Sequence, residues 1–169
     1  MNRKLTYRIV AGLIMLSSVA TAVIVYKRIQ HDNLVKLENV FLKSLPLFNI
    51  DSTRHILSED KIAVAIVYFN SSCEHCQLEA EMIRNDISLF SNVKLIFIST
   101  ETLKDIRNFA VKYQLGNLSN VQVLKMNADD LYNYFGSVST PHIYIYNNER
   151  RLVKEFEGET KTSAILKYL

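Results

Sequence analysis

The stretch Ala63-Val64-Ala65-Ile66-Val67-Tyr68-Phe69-Asn70-Ser71-Ser72-Cys73-Glu74-His75-Cys76 decides how this chain reads. Its first seven residues are a continuous apolar, β-rich run, the pattern of a strand buried on both faces. From Cys73 to Phe90 the pattern turns helical, with Leu78, Met82, Ile83, Ile87 and Phe90 along one side. Ser71 and Ser72 are polar residues suited to the helix N-terminus. The Cys73-x-x-Cys76 pair therefore stands at a strand-to-helix junction. A helix N-terminus carries partial positive charge and free N–H groups, and both stabilise a thiolate. The thiolate is the nucleophile of disulfide exchange, so this placement activates Cys73. Cys76, one turn in, is spaced to resolve a mixed disulfide. His75 is placed to add positive charge or a hydrogen bond to the thiolate, and Glu74 opposes it.

Strand and helix signals alternate on either side of this junction. Strands are expected at Val93–Ile98 and Val121–Met126. Helices are expected at Thr102–Leu115, ended near Gly116, and at Ala128–Phe135, ended by Gly136. His142–Tyr146 and Arg151–Phe156 read as a hairpin turning at Asn147-Asn148, and Thr160–Leu169 as a closing helix. Leu47–Asp60 has room for a further short strand or hairpin. Alternation of this kind implies βαβ units and a mainly parallel sheet with an antiparallel hairpin at one edge.

The chain has 169 residues, enough for one domain and a short appendage. Its two cysteines both lie in one motif. A disulfide-stapled scaffold needs more cysteines, spread along the chain, and a zinc site needs two further ligands that His31, His55 and His142 are too scattered to supply. A working redox pair and an inert structural disulfide are the readings that remain, and the junction favours the first. The net charge of +3 comes from the N-terminus. Beyond Arg28 there are 15 Lys and Arg against 17 Asp and Glu. No basic patch with interleaved aromatics exists, so nucleic acid is not an expected partner. The reading requires no cofactor and no metal.

Ile9–Tyr26 is an 18-residue stretch without a charged side chain. As a helix it spans about 27 Å, just short of the roughly 30 Å hydrocarbon core. Arg3, Lys4 and Arg8 precede it and Lys27 and Arg28 follow, which orients the N-terminus to the cytoplasm. Residues 1–28 are therefore expected to be a transmembrane segment or signal anchor. A cleaved signal peptide competes, because Ala20-Thr21-Ala22 has the small-x-small form of a cleavage site. Either reading exports the domain: to the outer face of the cytoplasmic membrane as a single-pass protein, or to the periplasm. Residues 29–46 read as a helical stalk or linker carrying the stripe Leu34, Leu37, Phe41 and Leu45, and residues 47–169 as the domain.

The chain resembles the thioredoxin superfamily, and most closely the exported, membrane-anchored TlpA/ResA-like branch of the redoxins. The resemblance covers roughly Leu47–Leu169. It rests on Val67-Tyr68-Phe69 leading into Cys73-Glu74-His75-Cys76, and on Tyr134-Phe135-Gly136-Ser137-Val138-Ser139-Thr140-Pro141-His142. The turn at Asn147-Asn148 and Gly158 after the last strand also match. It implies a thioredoxin-like α/β fold, a central mixed sheet flanked by helices. It further implies a cis Pro141 facing the cysteines, and a Thr140 backbone that pairs with an extended substrate. A trans proline opening a strand is the plainer reading of Pro141. Glu79 matches a glutamate near the active site of this branch that takes the proton of the resolving thiol. A solvated helix glutamate is the plainer reading there.

The chain departs from the family in four places. Ser72 stands where a tryptophan usually precedes the first cysteine, Glu81 replaces the helix-kinking proline, and Val67 replaces a buried acid. His75 closes the dipeptide, as in oxidising and isomerising members. The redox direction stays open on these grounds.

The expected function is thiol–disulfide oxidoreduction on cysteine-containing exported proteins, with a membrane redox partner recharging the pair. Two other classes are weighed. A thiol peroxidase would need a Pro-x-x-x-Thr-x-x-Cys pattern, and Phe69-Asn70-Ser71-Ser72 does not supply it. A non-catalytic binding module or copper chaperone could use the Cys–His–Cys cluster for Cu(I).

Overall fold

A computed structural model describes residues 12–26, 42–58 and 60–169. The chain divides into two compact units, Met1–Lys36 and Leu37–Leu169. In the first, residues 12–26 form helix α1, with every described side chain exposed. Among the described residues no helix is long and apolar enough to cross a membrane. Of the expected stalk, Leu34, Leu37 and Phe41 lie outside the described residues. The stretch that follows begins with a 3-10 turn at Leu42–Ser44 and a buried Leu45.

The second unit is a seven-stranded sheet in the order β2-β1-β5-β4-β3-β6-β7. Its strands are β1 Leu47–Phe48, β2 Arg54–His55, β3 Ala63–Tyr68, β4 Val93–Ser99, β5 Val121–Met126, β6 His142–Tyr146 and β7 Leu152–Glu157. β3, β4 and β5 are parallel, joined by crossovers through α2 (Glu74–Asn85) and α3 (Leu103–Lys112). α4 (Ala128–Phe135) leads to β6, which pairs antiparallel with β3. The expectation of a mainly parallel sheet is corrected. Only the three central strands are parallel, because β1–β2 forms a second antiparallel edge against β5, opposite the β6–β7 hairpin. Leu47–Asp60 supplies that extra hairpin. A two-residue strand has too little periodicity to be read from sequence.

Alternation along the central strands builds two cores. Val64, Ile66, Ile96, Ile98, Tyr144 and Tyr146 face one side, where Leu131 and Phe135 of α4 cover them together with Leu42, Leu45 and Leu57. Ala65, Val67, Phe69, Leu95, Phe97, Ile143 and Ile145 face the other, under α2, α3 and α5 (Thr162–Ile165). β3, β4 and β6 are thus buried on both faces, as their unbroken apolar runs require. Phe69 stacks on Phe109 of α3 at 4.2 Å between ring centroids and meets Phe97 edge-on at 6.2 Å. It anchors the last residue before the cysteine loop.

Several element limits shift. The helix read as Cys73–Phe90 is α2 followed by a 3-10 turn at Ile87–Phe90. α3 stops at Lys112, and the left-handed residue is Gln114 (φ 54°) rather than the Gly116 expected. The closing helix is one turn of α5 and a 3-10 turn at Leu166–Tyr168. In the last hairpin the left-handed residue is Arg150 (φ 64°), and Asn147 Oδ1 accepts from the Glu149 and Arg151 amides. Gly136 and Gly158 sit at φ 81° and 82°, where a side chain would be strained.

Replacing Phe69 with alanine should remove roughly 3–5 kcal/mol of stability, because the aromatic packing against α3 and β4 is lost and a cavity remains. Urea denaturation of the fragment from Gln30 onward checks this, and a loss below about 1 kcal/mol would show that the site collapses to fill the space.

Candidate active site

Two chain connections bring the site together. β3 ends at Tyr68, and after a short loop Cys73 becomes the N-cap of α2 with an extended backbone (φ −77°, ψ 118°) and no side-chain cap. Ser71 and Ser72 therefore do not cap the helix as expected. They form the loop with Asn70, whose Oδ1 accepts from the Ser72 amide at 2.9 Å and the Ser72 hydroxyl at 2.6 Å. The second connection is the antiparallel register that pairs Tyr68 with His142. It places the start of β6 beside the end of β3, so Thr140-Pro141 faces Cys73. The Thr140–Pro141 bond is cis, as the resemblance implied. The Cys73 thiol lies 3.7 Å from the Thr140 carbonyl oxygen. The Pro141 loop is tied to β7 by the Gly158 amide donating to the Pro141 carbonyl (2.9 Å) and by Ser139 Oγ donating to Glu157 (2.8 Å).

Both cysteines are free thiols in this structure. Cys73 is half-buried, whereas Cys76 is 2% exposed and packs into the core beneath α2. The two differ correspondingly in acidity. Burial alone would raise Cys73, but hydrogen bonds from the Cys76 thiol and amide, from the Thr140 side chain and from the His75 amide outweigh it. The Cys73 thiol is held below the ordinary cysteine value. Burial pushes Cys76 up to about 12, only partly offset by the Asn70 amide that donates to its sulfur at 3.5 Å. A half-exposed, more acidic thiol beside a buried, strongly protonated one is the arrangement that disulfide exchange with separate attacking and resolving sulfurs would use.

Glu79 is 1% exposed, which overturns the solvated reading. It lies on the same face of α2 as Cys76, three residues on. Its Oε1 accepts from the Thr160 amide at 3.0 Å, and Oε2 is buried with no hydrogen-bond partner among the described residues. Burial is the main cause that lifts its carboxyl to about 8, against the Thr160 hydrogen bond and with help from the negative charge of Glu159.

His75 does not play the part expected of its ring. The imidazole is exposed and pairs through Nδ1 with Glu159 at 2.9 Å, so its contribution to the Cys73 sulfur comes from the backbone N–H. The Cys–His–Cys cluster is therefore not assembled. Among the described residues no group of three His, Cys, Asp or Glu side chains is placed to hold a metal ion.

Three supporting residues escaped the sequence reading: Glu101, Glu159 and Thr160. Their partners lie 30, 84 and 81 residues away in the chain. For Glu101 there was one usable signal, its place just past the C-terminal end of a parallel strand, where sites of α/β folds gather.

No protein-family model matches the chain, and no curated protein matches it. Solved structures do. The exposed lipoprotein thioredoxin Etrx1 of Streptococcus pneumoniae superposes with a TM-score of 0.58 at 21% identity, over 73% of this chain and 97% of that one. A secreted Mycobacterium tuberculosis disulfide oxidoreductase homologous to E. coli DsbE gives 0.58 at 15% identity, over 72% and 93%. A peroxiredoxin-like protein from Aquifex aeolicus gives 0.56 at 12% identity, over 72% and 78%.

Glu79 has a pH signature. Between about 4.5 and 8 the folded state keeps the Glu79 proton that the unfolded chain has released. The folded state binds more protons there, so stability falls as pH rises through that window. The decline due to this group should be on the order of 3–5 kcal/mol. Glu79→Gln should lack it, so the variant gains on the parent between pH 5 and pH 8.5 in urea denaturation. A difference between the two that is independent of pH would show that Glu79 ionises as it does in water.

The fold likeness and the cysteine junction agree, and the Leu37–Leu169 unit has the thioredoxin-like α/β fold.

Proposed function

We propose that the chain is a thiol–disulfide oxidoreductase that acts, through Cys73 and Cys76, on cysteines of proteins exported across the membrane. The observation that carries this reading is the unequal pair. Cys73 is accessible and acidic at the start of α2, and Cys76 is buried and pushed up to about 12.

In the reducing direction the Cys73 thiolate attacks one sulfur of a target disulfide. The target S–S bond breaks, its second sulfur leaves as a thiolate and takes a proton, and Cys73 is joined to the target. Cys76 then loses its proton and attacks the Cys73 sulfur. The second target thiol is released, and the protein is left with a Cys73–Cys76 disulfide. Two electrons pass to the target, and a membrane redox partner must return them. The oxidising direction is the reverse. A target thiolate attacks Cys73, and Cys76 departs as a thiolate that needs a proton. Glu79, buried on the same helix face and protonated up to about pH 8, is the group available to give that proton. In the other direction only its ionised form, present above about pH 8, can accept the Cys76 proton, and below that pH the proton passes to solvent. The half-buried backbone at Thr140 is where an extended target segment would align, by strand addition beside Cys73.

The peroxiredoxin-like neighbour shows that fold alone does not choose between exchange and peroxide reduction. The cysteine arrangement favours exchange, because a resolving thiol stands one helical turn from the attacking one.

Localisation follows from the N-terminus. The uncharged Ile9–Tyr26 stretch, flanked by basic residues and with Leu13, Ile14, Leu16 and Ile24 exposed on α1, supports a retained anchor with the domain on the outer face. The full chain produced in a bacterium should stay in the membrane fraction after an alkaline carbonate wash. Release of a shortened chain would establish cleavage near Ala20-Thr21-Ala22 instead.

Cys76→Ser should trap mixed disulfides between Cys73 and exported proteins, visible as bands on a non-reducing gel that dithiothreitol removes. Cys73→Ser should trap none. Equilibration of the parent protein with glutathione should give a reversible disulfide whose potential sets the direction. A value of about −270 mV marks a reductant, and about −120 to −180 mV an oxidant or isomerase. A pair that neither forms nor yields a disulfide reversibly would overturn the reading.

A further inference from the structure

The loop between β3 and α2 carries two backbone contacts to the cysteines. The Cys73 amide donates to the Asn70 carbonyl at 3.2 Å, and the Asn70 amide donates to the Cys76 sulfur at 3.5 Å. Three loop residues have many conformations open to them, so these contacts need something to hold the loop. Asn70 Oδ1 bonds Ser72 only within the loop. The hold from outside comes from Glu101, beyond the end of β4. Its Oε2 accepts from the Ser71 amide at 2.6 Å and its Oε1 from the Ser71 hydroxyl at 2.8 Å. Ser99, 1% exposed on β4, donates its hydroxyl to Oε2 at 3.2 Å and accepts from the Glu101 amide at 3.3 Å. Lys125 of β5 donates to the Glu101 carbonyl at 2.6 Å. The carboxylate thus takes three donors, and its backbone is fixed by two neighbouring strands. On the helix side, Gln77 Nε2 donates to the Ser71 carbonyl at 2.9 Å, so Ser71 is gripped from both directions.

We propose that Glu101 is a positioning residue for the Cys73–Cys76 pair: its carboxylate clamps Ser71 to the ends of β4 and β5 and thereby aims the loop and first-turn amides at the two sulfurs. The proposal rests on the redox reading of the site. Glu101 touches neither sulfur and is no part of the reacting set. A charge-assisted hydrogen bond to a backbone amide is stronger than a neutral one, so a carboxylate suits this role.

The role makes a prediction whose sign separates it from a plain charge effect. Removing a negative charge near a thiol should make that thiol more acidic. Removing a clamp that aims N–H donors at a thiolate should make it less acidic. The other charged or titratable groups on or against the first two turns of α2 include Glu74, Cys76, Glu79, Glu81, the His75–Glu159 pair and Lys112, which donates to Gln77 Oε1 at 3.3 Å, all left intact by the substitution.

The test uses the full chain in detergent, reduced, with iodoacetamide alkylation of Cys73 followed across pH by mass spectrometry. Glu101→Ala is expected to move the midpoint up by about one pH unit, and so to slow alkylation about tenfold below it. Its glutathione equilibrium should shift toward the disulfide. Glu101→Gln keeps an acceptor for the Ser71 amide and should stay within about twofold of the parent. A folded Glu101→Ala with an unchanged or lowered midpoint overturns the proposal. Should Glu101→Ala not fold, Ser71→Ala removes only the hydroxyl bond. A smaller upward shift then supports the proposal, and no shift overturns it. Alkylation needs no redox partner, so failure of the clamp is read separately from failure of the parent pair to form a reversible disulfide.

Discussion

The site depends on one register, the antiparallel pairing of β6 with β3 that sets His142 opposite Tyr68. β3 runs toward α2, and β6 begins where β3 ends. That single alignment brings Thr140 and Pro141, more than sixty residues downstream, to the N-terminus of α2. Slipping the pairing by one residue would turn Tyr144 and Tyr146 into the core now filled by Ile143 and Ile145. The packing of both faces of β6 therefore locks the position of the proline against the cysteine.

The same economy holds on α2. Its buried side carries Cys76, Glu79, Ala80 and Ile83, so the residues that tune the chemistry belong to the residues that pack the helix. Burial pushes Cys76 and Glu79 toward their neutral forms. Cys73, at the helix tip, escapes most of that burial and receives N–H donors instead. The acidity difference between two sulfurs three residues apart thus arises from their places on one helix, Cys73 at its tip and Cys76 on its buried side.

Support for the reactive end comes from long-range polar contacts to short loops: Glu101 to Ser71, Thr160 to Glu79, Glu159 to His75. The contact to Glu159 holds the exposed His75 ring. A histidine inside the motif reads as a modulator of the thiolate, yet here only its backbone reaches the sulfur.

The sequence by itself determined the sheet's central strands and the strand-to-helix position of the cysteines. These follow from local patterns: apolar runs of seven residues or fewer, a 3.6-residue stripe, and a two-residue spacing between thiols. The proline loop was legible only through its resemblance to a family. What the tertiary structure alone decided is set by pairs distant in the chain. It turned the β1–β2 hairpin into a second antiparallel edge, buried Glu79 rather than leaving it in water, paired His75 with Glu159, and brought Glu101 to Ser71. The side-chain pairings among these have no periodicity of their own, because a hydrogen bond between residues thirty or eighty positions apart leaves almost no trace in either segment until the sheet has placed them together; only Glu101, just past the end of a parallel strand, offered a hint.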